Sequence, residues 1–107
     1  FKSEDVATSF QKRVVEILTD KVILALDEYK VNQVLLAGGV SANKELRETI
    51  VNRVKEKDSN IEVVLPPLWC CGDNAAMIAK AAAYLYKNKK YSSLDLGVNP
   101  NWSIEEL

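Results

Sequence analysis

The stretch LLAGGVSANKELRE, residues 35–48, decides how this chain folds. An apolar run stops at Gly38 and Gly39, and a charged amphipathic segment begins shortly afterwards. The chain has only four glycines, and two of them stand side by side at this point. Proteins of the α/β class bind ligands where a strand ends and a helix begins, so this turn is the first candidate for a binding site.

The paired glycines suit a turn that a ligand approaches closely. Gly38 and Gly39 lack a Cβ atom, so the backbone can adopt positive φ and a ligand can reach the main chain. The helix that follows directs free N–H groups and its positive dipole end at the same place, which favours a phosphate or a carboxylate. Asn43, in the first turn of that helix, offers a donor and acceptors to a hydroxyl or a base edge. The simpler alternative is a tight turn followed by a capping residue. The motif is neither a Walker A loop nor a dinucleotide fingerprint.

The apolar pattern predicts three helices and two strands in the order α-β-α-β-α. Helices are predicted at residues 3–30, as one long helix or a helix with a bend, and at about 42–57 and about 73–88. Strands are predicted at 31–37 and 61–65. This order implies a parallel strand pair in an α/β layer. Consecutive apolar residues predict that the first strand is covered on both faces. Two strands cannot complete a sheet, so a free edge is expected to continue the sheet in the intact protein.

The first predicted helix carries signals at its start and along one face. Ser3 is predicted to cap it, and Glu4 and Asp5 suit the positive end of its dipole. The continuous apolar run at 22–26 predicts deeper burial toward the C-terminal end. An apolar stripe runs along the helix through Val6, Phe10, Val14, Ile17 and Leu18.

The later helices are predicted to differ in their surroundings. In the second helix, Leu46, Ile50 and Val54 are expected to face inward. The third contains six alanines between positions 75 and 83, which is typical of a core or an interface. The tail at 91–107 is predicted to be irregular until a last helical turn at Ile104–Leu107.

The second candidate site is LPPLWCCGDNAAMIA, residues 65–79, where another strand end leads into a helix. Asp73 stands at or near the start of that helix, and the simple interpretation is that it caps the helix. Parallel strands end at the same edge of a sheet, so Asp73 and Asn43 are predicted to converge on one cleft. A carboxylate beside a phosphate-binding turn indicates a metal ligand or a group that handles a nucleotide.

Composition excludes several classes of protein. The 107 residues fit one domain, and 48 % apolar with 27 % charged residues is typical of a globular protein. No apolar run is long enough to span a bilayer and no signal-peptide pattern opens the chain, so a cytoplasmic location without membrane partners is expected.

The chain begins with Phe1 and its single methionine is Met77, which predicts that residues 1–107 form one fragment of a longer protein. It contains no histidine, which excludes a complete His-based site within it.

Charged, thiol and aromatic groups each leave two interpretations. With a net charge of −1, nucleic-acid binding through bulk electrostatics is not expected. The lysines at 87, 89 and 90 form a solvated helix end or, alternatively, a phosphate contact. Adjacent Cys70 and Cys71 indicate a reducing compartment and are predicted to be buried and inert rather than ligands or nucleophiles. Trp69 and Trp102 are predicted to pack in apolar surroundings, the alternative being stacking on a base.

Together these motifs resemble a known family. AGGVSANKELRE (37–48), followed by CGDNAAMIA (71–79), is similar to the C-terminal part of the TsaD family, also called Gcp, of tRNA N6-adenosine threonylcarbamoyltransferases. VATSFQKRVVEIL (6–18), with Ser-Phe-Gln at 9–11, resembles the family's upstream helix. The resemblance covers roughly residues 3–98, and the pair of motifs is more specific than either alone.

The resemblance implies a fold, a reaction and site residues. The fold would be the later part of the second lobe of an actin-like ATPase (ASKHA, ribonuclease H-like). The enzyme would transfer threonylcarbamoyl from threonylcarbamoyl-adenylate to N6 of the adenosine next to the anticodon, with accessory proteins of the threonylcarbamoylation complex. Gly38, Gly39 and Asn43 match the adenylate-binding positions. Asp73 matches the aspartate that binds one divalent metal ion, iron or zinc.

The chain also departs from the family pattern. Two metal-binding histidines of an His-x-x-x-His motif in the first lobe are absent here, so the fragment alone is expected to be inactive and is a candidate for self-association. The usual Cys-Thr-Asp-Asn is replaced by Cys71-Gly72-Asp73-Asn74. Two other hypotheses stay open: another actin-like-fold carbamoyltransferase or phosphotransferase, and an interaction module without its own activity.

Overall fold

The computed structural model of the protein describes residues 2–103 and 105. It divides into two compact units, Phe1–Asn74 and Ala75–Leu107. The helices are α1 (Ser3–Glu28), α2 (Lys44–Lys57) and α3 (Ala75–Lys87), and the strands are β1 (Gln33–Leu35) and β2 (Glu62–Val64). The predicted order α-β-α-β-α is therefore confirmed for the described chain. Both strands are shorter than predicted, and α3 begins two residues later than expected.

The two strands form a parallel pair, as predicted. Val34 lies opposite Val63 in the register, and backbone hydrogen bonds extend the pairing by one residue at each end. The Leu36 N–H donates to the Val64 carbonyl at 3.1 Å, and the Glu62 N–H donates to the Asn32 carbonyl at 3.0 Å. Pro66 and Pro67 follow β2, where they cannot donate to the ladder.

The core of the first unit lies between α1, α2 and one face of the sheet. Leu46, Ile50 and Val54 are buried as predicted, and Val54 is fully inaccessible. Together with Val15 they form a cluster onto which the inward side chains of the strands pack; these are Val34, Leu36, Ile61 and Val63. Successive side chains of a strand alternate between faces, so the outward Leu35 is 67 % exposed. The prediction that the first strand is covered on both faces is therefore wrong for the described chain.

Helix α1 is buried in its middle rather than toward its C-terminal end. Val15 and Thr19 are its buried residues, whereas most of the predicted stripe is exposed. The reason is that α2 runs alongside α1 and covers its middle: Gln11 bonds to Glu45, and Asp20 pairs with Arg53. The prediction of deeper burial at 22–26 is wrong, since Val22, Ile23 and Leu26 are only half-buried at the rim of the core.

The predicted cap at Ser3 is also absent. Helix α1 begins after Lys2 without a side-chain cap, and the Ser3 hydroxyl instead donates to the carboxylate of Glu4 at 3.5 Å. Glu4 and Asp5 do occupy the first turn, where they complement the helix dipole as predicted.

The second unit contains α3 and an irregular segment. All residues of α3 are exposed, so the alanine-rich helix is not part of a core within the described residues. Lys89 has a φ of 55° just beyond the helix, and this reversal brings Tyr91 to Tyr86 in an edge-to-face contact at 6.1 Å. The residues from 91 to 103 are irregular, as predicted. The final predicted turn involves Ile104, Glu106 and Leu107, which lie outside the described residues. Among the residues that are described, no helix is long and apolar enough to cross a bilayer.

Candidate functional site

The glycine turn (residues 36–43) is shaped by one glycine and one serine. Gly38 has a φ of 82°, in the region that favours glycine, whereas Gly39 opens a short 3-10 helix, Gly39–Ala42. Ser41 is buried, with only 3 % of its surface exposed, and forms two hydrogen bonds that close the turn. Its N–H and its hydroxyl donate to the Gly38 carbonyl at 3.0 Å and 2.6 Å. This extra 3-10 turn explains why α2 begins at Lys44, two residues later than predicted.

Asn43 is the N-cap of α2. Its Oδ1 accepts a hydrogen bond from the Leu46 N–H at 2.9 Å, and its Nδ2 donates to Oε1 of Gln11 at 3.2 Å. Gln11 in turn donates to the carboxylate of Glu45, so the cap is tied to α1. Asn43 therefore precedes α2 instead of lying in its first turn. Within the described residues it acts as a capping residue, which is the simpler of the two interpretations. The amide retains one further N–H and one acceptor site for a ligand.

The aspartate loop (residues 65–74) follows β2. It contains a short 3-10 helix, Leu68–Cys70, whose last N–H groups are bonded within the loop. Asp73 is exposed, and Asn74 rather than Asp73 directly precedes α3. The Asn74 side chain donates to the Gly72 carbonyl at 3.0 Å. Asp73 makes no hydrogen bond or ion pair with the described residues, so its carboxylate is open to a ligand.

Arg47 joins the glycine turn to the aspartate loop. From the first turns of α2 its Nη1 donates to the Ser41 carbonyl at 2.9 Å, and its Nη2 donates to the Pro66 carbonyl at 2.6 Å. Nη1 also lies 3.7 Å from the Cys71 sulfur, and the Cys71 thiol donates to the Pro67 carbonyl at 3.6 Å. Sequence reasoning missed this residue. The only available signal was its place inside the LLAGGVSANKELRE motif, on the helix that follows the turn.

The two loops that carry the predicted site residues begin at the same edge of the sheet. The strands are parallel, so the glycine turn after β1 and the aspartate loop after β2 both follow carboxyl ends, and Arg47 bridges them. None of the hydrogen bonds among the described residues joins Asn43 to Asp73. Beside Asn43 lies a largely apolar groove of about 280 Å³ between α1 and the glycine turn. Its walls include Phe10, Val14, Leu18, Val40 and Leu46.

The metal prediction rests on Asp73 alone. Among residues 2–103 and 105, no group of three or more histidine, cysteine or acidic side chains could hold a metal ion. One exposed carboxylate fits a single ligand position, but the described residues do not form a metal site by themselves.

The thiols and tryptophans have different outcomes. Cys71 is buried as predicted, whereas Cys70 is only half-buried, so the predicted burial is confirmed for Cys71 alone. Trp69 and Trp102 are both more than half exposed, so the predicted apolar packing is not present in the described chain.

Comparison with known proteins now identifies the family of the chain. The sequence model of TsaD, described as tRNA N6-adenosine threonylcarbamoyltransferase, matches residues 1–80, a range that includes both loops of the site. A protein of Listeria welshimeri with that name is 46 % identical over 103 residues, which are 96 % of this chain and 30 % of the relative. Proteins of the same name from Bacillus cereus and Bacillus anthracis are 48 % identical over 102 residues, or 95 % of this chain and 29 % of each relative. The chain thus spans about 30 % of the length of these relatives, and it belongs to the TsaD family.

Proposed function

We propose that this chain is part of a tRNA N6-adenosine threonylcarbamoyltransferase. The protein would transfer threonylcarbamoyl from threonylcarbamoyl-adenylate to N6 of the adenosine next to the anticodon of tRNA, in the cytoplasm. The observation that carries the proposal is that both family motifs, at the glycine turn and the aspartate loop, leave the same edge of a parallel strand pair and are bridged by Arg47. In this proposal the chain contributes the later part of the second lobe of an actin-like fold.

The glycine turn is proposed to hold the adenylate. Gly38 supplies the positive φ that reverses the chain, and Gly39 presents its backbone without a Cβ atom. At both glycines the space that a Cβ would occupy is open, which leaves room for a ligand group beside the main chain. Asn43 holds the start of α2 with its Oδ1 and is proposed to offer its second N–H to the adenylate.

Asp73 is proposed to supply one carboxylate ligand to a divalent ion, iron or zinc. Its exposed position, and the absence of a hydrogen bond between its carboxylate and any described residue, suit this role, and the other ligands would come from outside the described residues. When bound, such an ion would supply positive charge near the oxygens of the acyl-adenylate.

The proposed transfer is an acyl substitution. N6 of the adenosine attacks the carbamoyl carbon, the bond from that carbon to the phosphate oxygen breaks, and AMP leaves with the electron pair. The attacking nitrogen loses one proton to a base that this chain does not assign. The chain's own contribution is to hold the adenylate against the glycine turn, so that the leaving phosphate is bound before and after the bond breaks.

The test uses a chimaera because the chain covers about 30 % of its relatives. The chain replaces the matching segment of the Listeria welshimeri relative, and the chimaera is expressed in a bacterium that lacks its own enzyme. Mass spectrometry of tRNA nucleosides is expected to show restored threonylcarbamoyladenosine. Asn43→Ala and Asp73→Ala should each reduce it strongly, whereas the exposed Glu56→Ala is the matched control and should not.

Three results would count against the proposal or a part of it. A folded chimaera that restores no threonylcarbamoyladenosine would contradict the reaction, and a change in another carbamoylated or phosphorylated product would favour the alternative actin-like chemistry. Full modification of tRNA by the Asp73→Ala chimaera would contradict the proposed role of Asp73 as a metal ligand. The 107-residue chain alone is expected to give no product with tRNA and threonylcarbamoyl-adenylate.

A further inference from the structure

We infer that Arg47 is a positioning residue that holds the glycine turn and the aspartate loop in one fixed arrangement. The expected effect of this arrangement on activity rests on the proposed function, because these loops carry the residues proposed to bind the adenylate and the metal ion. The observation itself is independent of that function. A single guanidinium contacts backbone carbonyls 6 and 19 residues away from Arg47 in the sequence, one in each loop.

The geometry of the guanidinium suits this task. Its two terminal nitrogens form a planar fork, and here each nitrogen serves a different loop: Nη1 bonds to the Ser41 carbonyl and Nη2 to the Pro66 carbonyl. A lysine ammonium is a single point donor on a flexible stem and cannot reproduce this fork.

Each bond acts on a part of the loop that is itself constrained. On one side, Ser41 is buried and bonded twice to Gly38, so holding the Ser41 carbonyl also fixes the glycine that turns the chain. On the other side, Arg47 contacts Pro66 and the buried Cys71, which stands two residues before Asp73. Arg47 therefore sets the distance between the two proposed ligand-binding segments.

The alternative is that Arg47 contributes only to the stability of α2. A matched control is available on the same helix, because Arg53 pairs with Asp20 at 3.3 Å on the half-exposed surface and forms no hydrogen bond to either loop within the described residues. If stability were the whole role, Arg47→Ala should affect the helix and both loops alike.

Amide hydrogen exchange on the full chain tests the bridge without any activity. In Arg47→Ala, exchange is expected to accelerate about tenfold or more at the Ser41 amide and at the Cys70 and Cys71 amides, while Ile50 and Val54 stay protected. Arg53→Ala should leave all five amides unchanged. Unaltered exchange in either loop would overturn the inference, as would equal acceleration along α2.

Kinetics of the chimaera test the consequence. Arg47→Ala should lower kcat/KM by about tenfold or more, because misplacement of a binding group by about 1 Å can cost on the order of 100-fold. Arg47→Lys should lie between Arg47→Ala and the parent, and dilute guanidinium ion should partly restore Arg47→Ala. Full activity of Arg47→Ala, or a loss without rescue that follows the fall in thermal stability, would overturn the inference. If the parent chimaera itself is inactive, the proposed function fails, while the exchange result still decides on the bridge.

Discussion

At the scale of single residues, the two adjacent glycines have different reasons to be glycine. Gly38 has a φ of 82°, which L-residues with a side chain rarely adopt, whereas Gly39 has no positive φ. A Cβ atom at either position would meet no atom within 4 Å. Of these two positions, the backbone therefore requires glycine only at Gly38, and any requirement at Gly39 must come from a group outside the described residues, such as a ligand.

Substitution by alanine is therefore expected to affect stability at Gly38 but not at Gly39. Gly38→Ala should lower the free energy of unfolding by about 1–3 kcal/mol, because a φ of 82° with a ψ of 173° lies in a region that is essentially restricted to glycine. Gly39→Ala is the matched control and should leave stability nearly unchanged in urea denaturation. In the chimaera, however, Gly39→Ala should reduce threonylcarbamoyladenosine if a ligand approaches the main chain there. Equal stability losses in both variants would contradict this assignment.

Thr19 is an unusual core residue. It is fully buried, and its hydroxyl has no hydrogen-bond partner among the residues that the structure describes. Leaving a buried hydroxyl unpaired costs free energy, and replacing it with an apolar group of the same shape removes that cost.

Thr19→Val is therefore expected to stabilise the chain by about 1 kcal/mol. The exposed Thr8→Val on the same helix controls for helix propensity and should change stability by no more than a few tenths of a kcal/mol. Urea denaturation of both variants measures the difference. A destabilised Thr19→Val would show that the hydroxyl is satisfied in solution.

At the scale of elements, Asn43 combines a structural role with the proposed ligand role. Its Oδ1 caps α2 through the Leu46 N–H, and loss of such a cap typically costs about 1 kcal/mol. Asn43→Ala should therefore reduce both stability and activity, and cannot separate the two roles.

Asn43→Asp can separate them. Aspartate keeps the oxygen that caps the helix and loses only the exposed hydrogen bond to Gln11, so Asn43→Asp should lower the free energy of unfolding less than Asn43→Ala does. It loses the amide N–H groups and adds a negative charge that repels a phosphate, so activity of the chimaera should fall. Denaturation and nucleoside analysis of the same variant check both parts. Retained activity in Asn43→Asp would remove Asn43 from the proposed adenylate site.

The same elements show what the sequence could and could not predict. The spacing of Leu46, Ile50 and Val54 identified the buried face of α2, because only one face of this helix is apolar. In α1 apolar residues occur around much of the helix, so periodicity could not select the face around Val15 that packs against α2. The fork of Arg47 depends on carbonyls far away in sequence, and no local pattern encodes such a contact.

At the scale of the whole molecule, the described chain leaves much apolar surface uncovered. Phe10, Leu35 and Val40 are more than 60 % exposed in the first unit, and Ile78 and Tyr86 are similarly exposed in the second. Within the described residues the sheet has two strands, so each strand presents a free edge. Exposed edges and apolar patches of this kind favour association with another protein surface.

The isolated chain is therefore expected to self-associate in a concentration-dependent way. Leu35→Lys places a charge on the open face of β1 and should shift sedimentation toward the monomer, because burying an unpaired charge against another surface is unfavourable. Thr8→Lys adds the same charge at an exposed position of α1 and should not. A monomer at all accessible concentrations in analytical ultracentrifugation would contradict this expectation.

The Arg47 bridge has an electrostatic consequence. Arg53 and Lys57 face carboxylates, but Arg47 is held by two backbone carbonyls and a thiol, and no described carboxylate pairs with it. Its positive charge is therefore not neutralised by any described carboxylate. The charge lies at the carboxyl-terminal edge of the sheet, in a half-buried position where screening by solvent is reduced. In a chain of net charge −1, this charge should favour a phosphate group beside the glycine turn, while the exposed carboxylate of Asp73 in the neighbouring loop favours a cation.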